Sequence, residues 1–118
     1  AERGLEASNL SLSGTLAHSE PGLSAPDSPV WYRGYVEDTE LSACPRLEEA
    51  LVALGAERMV VGHTTRRDGR IQVRCAGRLA VIDTGISSHY GRNLAALELR
   101  LGDAWALYPQ GPEDLPDP

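Results

Sequence analysis

Between residues 45 and 55, apolar side chains recur at the spacing of a helix that buries one face. The recurring apolar positions are Leu47, Ala50, Leu51 and Leu54. Glu48 and Glu49 fall between them and face outward. Pro45 suits the first helical turn, and Gly55 suits the end of the helix. The pattern therefore predicts one short amphipathic helix over about residues 45–55.

Shorter apolar runs bounded by turn residues predict strands after this helix. Met59–Val61 is an apolar run typical of a buried strand, and it ends at Gly62. The Asp-Gly pair at 68–69 is a strong signal for a hairpin turn, because apolar and polar residues alternate after it, over 71–75. We therefore expect a buried strand followed by a hairpin.

Two further turns divide the rest of the chain into strands. The Ala-Gly pair at 76–77 leads into the apolar run Leu79–Ile82. The Gly-Asp pair at 102–103 separates Leu94–Leu99 from Ala104–Tyr108. One helix followed by mixed and antiparallel strands gives an α+β fold class. Because one helix covers at most one face of such a sheet, we expect a fragment of a larger domain or a chain that meets a partner.

The two ends of the chain lack the periodicity of its middle. Residues 1–29 are rich in Ser, Gly, Pro and Glu, and three prolines within 21–29 oppose regular structure. Residues 110–118 are acidic and rich in Pro. We therefore divide the chain into an irregular arm or remnant of a preceding region (1–29), a folded part (30–109) and an irregular tail (110–118).

Composition and charge limit the function classes. The chain has 118 residues, enough for one small domain, and a formal net charge of −6. A general nucleic-acid binder needs a broad basic surface, so nucleic acid is not an expected partner. The segment 58–78 nevertheless holds six Arg and one acidic residue, Asp68. This local positive charge suits either a small anionic substrate or a solvated surface of strands and turns.

The sequence indicates neither membrane insertion nor a zinc module. No apolar run approaches the ~20 residues that span a bilayer, and no segment has the pattern of a secretory signal. Because the first residue is Ala rather than Met, we expect the true amino terminus to lie upstream, and we favour a cytoplasmic location. Cys44 and Cys75 are too few and too far apart for a zinc module, so we expect two reduced, partly buried thiols.

His63 is the candidate metal ligand of this sequence. It follows an apolar strand and Gly62, a place where a ligand can approach the backbone closely and where a neutral imidazole is held with little freedom. Taken alone, a single His after a strand is more often a structural or merely exposed residue than a metal ligand. The residues around it therefore decide the interpretation.

Five short motifs follow one another in order from residue 31 to residue 99. They are WYRGY at 31–35, GHT at 62–64, DGRI at 68–71, IDTG at 82–85 and LAALEL at 94–99. This order resembles the last part of the calcineurin-like metallophosphoesterases, particularly the bacterial branch similar to Shewanella-like protein phosphatases. The resemblance covers about residues 28–109, and each motif alone is weak.

The resemblance implies a sandwich of two mixed sheets and a site with two metal ions, among manganese, iron and zinc, that hydrolyses phosphomonoesters, including protein phosphoserine and phosphothreonine. It implies that His63 is one metal ligand. The upstream motifs GDxHG, GDxxDRG and GNHE do not occur. An intermediate His of the family, often followed by two glycines, has no clear match either, because the residues around His18 differ from that pattern. We therefore expect the carboxy-terminal portion of such a domain, inactive and without stably bound metal on its own, whose sheet is covered by a missing amino-terminal half or another chain.

By the same resemblance, Arg33 and Tyr90 are the candidate contacts to a phosphorylated substrate. The planar guanidinium of Arg33 can bind two phosphate oxygens and keeps its charge. Trp31 and Tyr32 are expected to pack beside it. Asp83, which precedes Thr-Gly after a strand, is expected to cap its loop through backbone hydrogen bonds rather than to bind metal.

The sequence departs from the family pattern at two places. Arg92 follows Gly91 where many relatives have a second Gly, so a positive φ at position 92 would be strained and the loop is expected to differ. Thr65 stands where GHTH proteins have a second metal-binding His. This makes the chain closer to the protein phosphatases than to nucleases or phosphodiesterases.

Two alternatives stay open at the sequence level. One is a non-catalytic module that binds a partner chain through an uncovered sheet face. The other is part of a dinucleoside polyphosphate hydrolase, because IDTG, a Gly-containing loop and LAALEL are similar in those proteins.

Overall fold

The computed structural model describes residues 24–118. Residues 1–23, with most of the predicted irregular arm and His18, lie outside the described residues. Two helices are followed by two three-stranded sheets, which confirms the predicted α+β class with mixed and antiparallel strands. The chain divides into two compact units at the junction of Glu57 and Arg58, and each unit is described by itself. No helix within residues 24–118 has the length and apolarity needed to cross a membrane.

The helical unit contains a single turn, α1 (Gly34–Glu37), and a longer helix, α2 (Glu40–Leu54). Gly55 ends α2 in the left-handed conformation, with φ 62°, and its N–H donates to the carbonyls of Leu51 and Val52. The buried residues of α2 are Ala43, Leu47 and Leu51, which lie on one face. The predicted helix and its end are therefore confirmed, whereas its start at about residue 45 is wrong.

Pro45 lies inside α2 rather than in its first turn. A proline has no N–H to donate to the carbonyl four residues earlier, here that of Leu41. For this reason the sequence pattern predicted that the helix begins at Pro45. The buried face nevertheless continues on both sides of Pro45, with Ala43 before it and Leu47 after it. Around it, the Arg46 Nε donates to the Ser42 carbonyl over 3.3 Å. Burial of one apolar face thus outweighs the lost backbone bond.

The first sheet has the order β1-β3-β2, with strands β1 (Met59–Val61), β2 (Gln72–Arg74) and β3 (Leu79–Val81). β1 runs parallel to β3, and β2 runs antiparallel to it. All three residues of β3 are buried. The predicted strand Met59–Val61 and the turn at 76–77 are confirmed, the latter joining β2 to β3 with φ 51° and 88°.

The predicted hairpin at 68–69 is wrong, because β3 lies between β1 and β2. The Asp-Gly pair does form a tight turn: the Gly69 N–H donates to the Arg66 carbonyl over 3.1 Å. The Arg70 N–H donates to Asp68 Oδ1 over 3.1 Å, and this bond lowers the pKa of Asp68. The turn therefore belongs to a crossover connection between separated strands.

The second sheet is antiparallel, in the order β4-β5-β6, with strands β4 (Ala96–Arg100), β5 (Asp103–Tyr108) and β6 (Gly111–Asp114). The hairpin predicted near residues 102–103 is confirmed, with Leu101 and Gly102 in its turn. The irregular tail predicted from residue 110 is wrong, because Gly111–Asp114 pairs with β5. Pro112 argued against a strand in the sequence, although a proline is compatible with an edge strand.

The two sheets contact each other through residues after the crossover turn. The Ile71 N–H donates to Tyr108 Oη over 3.0 Å, and the Arg70 guanidinium lies 4.4 Å from the Tyr108 ring centroid. Arg70 also forms an ion pair with Glu113 on β6. These contacts fix β5 and β6 relative to the connection between β1 and β2.

The side chain of Arg58 secures the final residues of the chain. Its Nε donates to the Gly77 carbonyl and its Nη2 to the Pro116 carbonyl, each over 2.9 Å. A methyl group on Gly77 would lie 2.6 Å from the Asp117 backbone. The segment after β6 is therefore packed against the β2–β3 turn.

The prediction of reduced thiols is wrong. Cys44 and Cys75 are both disulfide-bonded, and the described residues contain no free cysteine. Cys75 is buried, and Cys44 is half-buried. A separation of 31 positions in sequence carries no information on spatial proximity, so two cysteines alone could not reveal the bond.

Candidate functional site

The carboxyl ends of β1 and β3 meet at one edge of the first sheet, because the two strands are parallel. β1 continues into residues 62–66, here called the His63 loop. β3 continues into residues 82–85, here called the Asp83 loop. The Ile82 N–H donates to the Val61 carbonyl over 2.9 Å, so the ladder extends to the point where both loops begin.

Asp83 is the hydrogen-bonding centre of this edge. Its Oδ1 accepts from the Gly85 N–H over 3.1 Å, and its Oδ2 accepts from Thr65 Oγ1 over 3.1 Å. Its backbone carbonyl accepts from the Arg66 N–H over 2.7 Å. The prediction that Asp83 caps its loop is confirmed, and both carboxylate oxygens already have protein donors.

His63 lies at this edge with an exposed side chain and a left-handed backbone, φ 64°. Such a conformation costs a residue other than glycine about 1–3 kcal/mol and is found preferentially at functional sites. Within residues 24–118, no group of three His, Cys, Asp or Glu side chains close enough to share an ion includes His63. The described residues therefore supply one candidate ligand and do not by themselves fit a two-metal centre.

Tyr90 lies beside both loops. It ends a short 3₁₀ turn, Ser88–Tyr90, and its side chain is 60% exposed. A methyl group added to Gly85 would lie 2.5 Å from the Tyr90 carbonyl oxygen and 3.2 Å from Thr65 Cγ2. The structure thus brings the His63 loop, the Asp83 loop and Tyr90 to one edge.

The loop after Tyr90 has a backbone conformation that is unfavourable for the residue at position 92. Arg92 has φ 60°, directly after Gly91 at φ 116°, and its N–H donates to the Ser87 carbonyl over 3.0 Å. Arg92 therefore adopts a positive φ, which is strained for a residue other than glycine, as expected. Asn93 stabilises the conformation, because its N–H donates to the Gly85 carbonyl and its carbonyl accepts from Thr84 Oγ1.

Arg33 belongs to the helical unit, where it precedes α1. It lines an open cleft of about 430 Å³ together with Trp31, Tyr32, Glu37 and Asp38, among others. Its guanidinium carbon lies 5.9 Å from the Trp31 ring centroid, within cation–π range. Tyr32 packs edge-to-face on Tyr35, as a packing residue does, whereas Trp31 remains 45% exposed.

The positive charge of the arginine-rich segment 58–78 is partly neutralised by acidic residues of the same unit. Arg58 lies 4.0 Å from Asp117, and Arg70 pairs with Glu113. Arg66 lies 3.4 Å from Asp68 within the turn. At least three of the six arginines therefore support the local structure, which favours the structural interpretation of the charge on Arg58, Arg66 and Arg70.

Sequence reasoning overlooked the structural role of Thr65. It entered only as a departure from a GHTH motif, yet its hydroxyl joins the His63 loop to Asp83. Two features of the sequence could have suggested this bond. Thr65 is a polar residue two positions after His63, and Asp83 follows the strand that pairs in parallel with β1. The pairing of β1 with β3 was needed to connect the two.

Comparison with known proteins leaves the family undetermined. No family model and no solved structure matches the chain. An uncharacterized protein of Schizosaccharomyces pombe is 37% identical over 77 residues, which are 65% of this chain and 23% of that protein. The chain thus spans less than a quarter of this relative's length. A matched segment of this size includes His63 wherever it begins, because it must cover residues 42–77.

Proposed function

We propose that this chain is the carboxy-terminal portion of a metal-dependent phosphatase domain that hydrolyses phosphomonoesters. His63 is its metal ligand, and Arg33 and Tyr90 contact the phosphorylated substrate. The observation that carries the proposal is the strained backbone of His63 at the edge where β1 and β3 end. Ligands of open α/β sheets gather at such carboxyl ends, and the ordered motifs supply the class.

Residues 24–118 do not by themselves supply the ligands that this chemistry needs. A dinuclear centre of manganese, iron or zinc, held in part by His63, would supply Lewis-acid polarisation of the phosphoryl group and a nucleophile at neutral pH. His63 offers one imidazole nitrogen toward such a centre, and the Asp83 oxygens are engaged by Gly85 and Thr65. The remaining ligands must come from residues outside 24–118 or from another chain. The greater length of the S. pombe relative leaves room for them in that protein.

The proposal is tested on the isolated chain and on the S. pombe relative in parallel. With Mn²⁺ and p-nitrophenyl phosphate, we expect no turnover by the isolated chain and metal-dependent turnover by the relative. Replacing the relative's residue that aligns with His63 by Ala should lower its kcat at least 100-fold. An inactive relative would refute the phosphatase class, and turnover by the isolated chain that falls in His63→Ala would refute the partial-domain interpretation.

The choice of substrate uses the same assay. Phosphoserine peptides and p-nitrophenyl phosphate represent phosphomonoesters, and diadenosine tetraphosphate represents the dinucleoside polyphosphates. Faster hydrolysis of the diadenosine compound by the relative would favour the hydrolase alternative over a phosphatase. Either result leaves the role of His63 unchanged, because both classes would use it as a ligand.

Partner binding is a second candidate function, favoured by the exposed edge of β4. Within residues 24–118, β4 pairs with β5 alone, and Leu99 and Leu101 are 57% and 99% exposed. Because a two-residue turn follows Arg100, the backbone groups of Leu97 and Leu99 point away from β5. This edge can therefore accept another strand.

A second copy of the chain can pair with this edge in an antiparallel register centred on Leu99. An antiparallel pair centred on Leu99 places each Glu98 opposite the other copy's Arg100, whereas a pair centred on Glu98 opposes like charges. Sedimentation velocity over a 100-fold concentration range should then show a dimer that Leu99→Lys abolishes. A monomer at every concentration would contradict this candidate and leave the phosphatase proposal standing.

A further inference from the structure

The His63 loop is anchored on both sides of His63 to consecutive residues that follow β3. Before it, the Val61 carbonyl accepts from the Ile82 N–H. After it, the Thr65 hydroxyl donates to the Asp83 carboxylate, and the Arg66 N–H donates to the Asp83 carbonyl. Three residues, 62–64, therefore lie between the two anchors.

We propose that Asp83 is a positioning residue, which with Thr65 holds His63 in its left-handed conformation. A backbone at φ 64° is unfavourable for His and persists only where its surroundings impose it. Val61 is fixed by the strand ladder, so the anchor after His63 is the one that side chains control. The significance of this role for metal binding rests on the proposed function; the conformational role does not.

The carboxylate of Asp83 fixes both loops at once. Its Oδ1 accepts from the Gly85 N–H while Oδ2 accepts from Thr65, so the carboxylate cannot rotate without losing one of the two bonds. Thr65 and Asp83 are half-buried, and Gly85 is buried. Hydrogen bonds to the residues around a metal ligand orient that ligand and change metal affinity about 10–100-fold. In a complete site, the Asp83–Thr65 bond would therefore affect how tightly His63 binds metal.

Four substitutions separate geometry from general stability. Asp83→Ala removes both side-chain bonds and keeps the backbone bond to Arg66. Asp83→Asn can keep both contacts, since its amide oxygen accepts from Gly85 and its amide group donates to the Thr65 hydroxyl, which also accepts. Thr65→Val removes the hydroxyl at similar volume, and Thr65→Ser retains it.

The readout is the His63 backbone measured by NMR on the 118-residue chain. A positive φ gives a strong intraresidue HN–Hα NOE, which we expect in the native chain, in Asp83→Asn and in Thr65→Ser. We expect at least a twofold loss of this NOE in Thr65→Val and a greater loss in Asp83→Ala, while β5 amide shifts remain native. If Asp83→Ala does not fold, Thr65→Val decides.

The proposal is overturned if Thr65→Val keeps the native NOE, or if Asp83→Asn loses it as fully as Asp83→Ala. The first result would show that the Thr65 hydroxyl does not hold the loop. The second would show that the two side-chain hydrogen bonds at position 83 are not enough to keep His63 in its left-handed conformation. An inactive S. pombe relative would refute the proposed function without changing these NOE intensities. The two failures are therefore distinguishable.

Discussion

Gly85 lies where the Asp83 loop passes close to the backbone of Tyr90. Its φ of 75° lies in the region that favours glycine, and the Tyr90 carbonyl oxygen stands 2.5 Å from where a methyl group would be. Gly62, in the neighbouring His63 loop, has open space at the same point. Position 85 therefore requires glycine, whereas position 62 has space for a larger residue.

Gly85→Ala is expected to lower the free energy of unfolding by about 2–4 kcal/mol, because backbone strain adds to a clash with a backbone oxygen. Gly62→Ala serves as the matched control and should change it by about 0.5 kcal/mol or less. Urea unfolding followed by tryptophan fluorescence measures both. Equal effects of the two changes would contradict the close approach of Tyr90 to Gly85.

The residue types in the sequence were enough to predict individual site residues, but not the contacts between them. His63 after an apolar strand and Asp83 before Thr-Gly each carry a local signal, and the capping role of Asp83 was correctly inferred from it. The Thr65–Asp83 bond joins residues 18 positions apart, so local pattern could not reveal it. The positive φ at Arg92 opposed the residue's own preference and was set by hydrogen bonds around it.

At the scale of elements, Pro45 gives α2 an unusual interior. Its five preceding residues are helical, so the Leu41 carbonyl lacks the intrahelical donor that a residue other than proline would provide. Pro45 itself is exposed, so its ring fills no buried space. The helix is held by its buried face rather than by an unbroken ladder.

Pro45→Ala should therefore stabilise the chain, by about 1–2 kcal/mol after allowing for the greater freedom of the unfolded chain. Glu49→Ala, another exposed change in the same helix, controls for helix propensity and should have an effect of about 0.5 kcal/mol or less. Thermal unfolding by circular dichroism reports both. A destabilised Pro45→Ala variant would mean that the ring makes a contact the helix requires.

The order of strands explains where element prediction failed. Asp-Gly at 68–69 forms a turn as its composition predicts, yet the strand that pairs with β1 is β3. Both β1 and β3 are short apolar runs, and their parallel pairing depends on a crossover that turn chemistry does not specify. Local signals thus located the elements better than they paired them.

At the scale of the whole molecule, the disulfide makes a simple chemical prediction. Iodoacetamide added to the denatured, unreduced chain should modify neither Cys44 nor Cys75, and after reduction it should modify both. Mass spectrometry distinguishes the two states by the number of adducts. Two adducts before reduction would contradict the disulfide.

Reduction should also lower the free energy of unfolding by about 3–4 kcal/mol, the chain-entropy value for a loop of about 30 residues. The cross-link acts mainly by restricting the unfolded chain. A Cys44→Ser, Cys75→Ser double variant is the control, because its stability should not respond to reductant. Equal responses of the native chain and the double variant would assign the change to the reductant itself.

The different connections within the two sheets set an order of assembly in time. Two-residue turns join β4 to β5 and β5 to β6, so this meander needs contacts between near neighbours alone. The β1–β3 pair must first close the connection between Val61 and Leu79. Since local hairpins form in about 1–10 μs and non-local closure slows folding, we expect the meander to appear first. The loops that carry His63 and Asp83 are then among the last parts of the fold to acquire their native conformation.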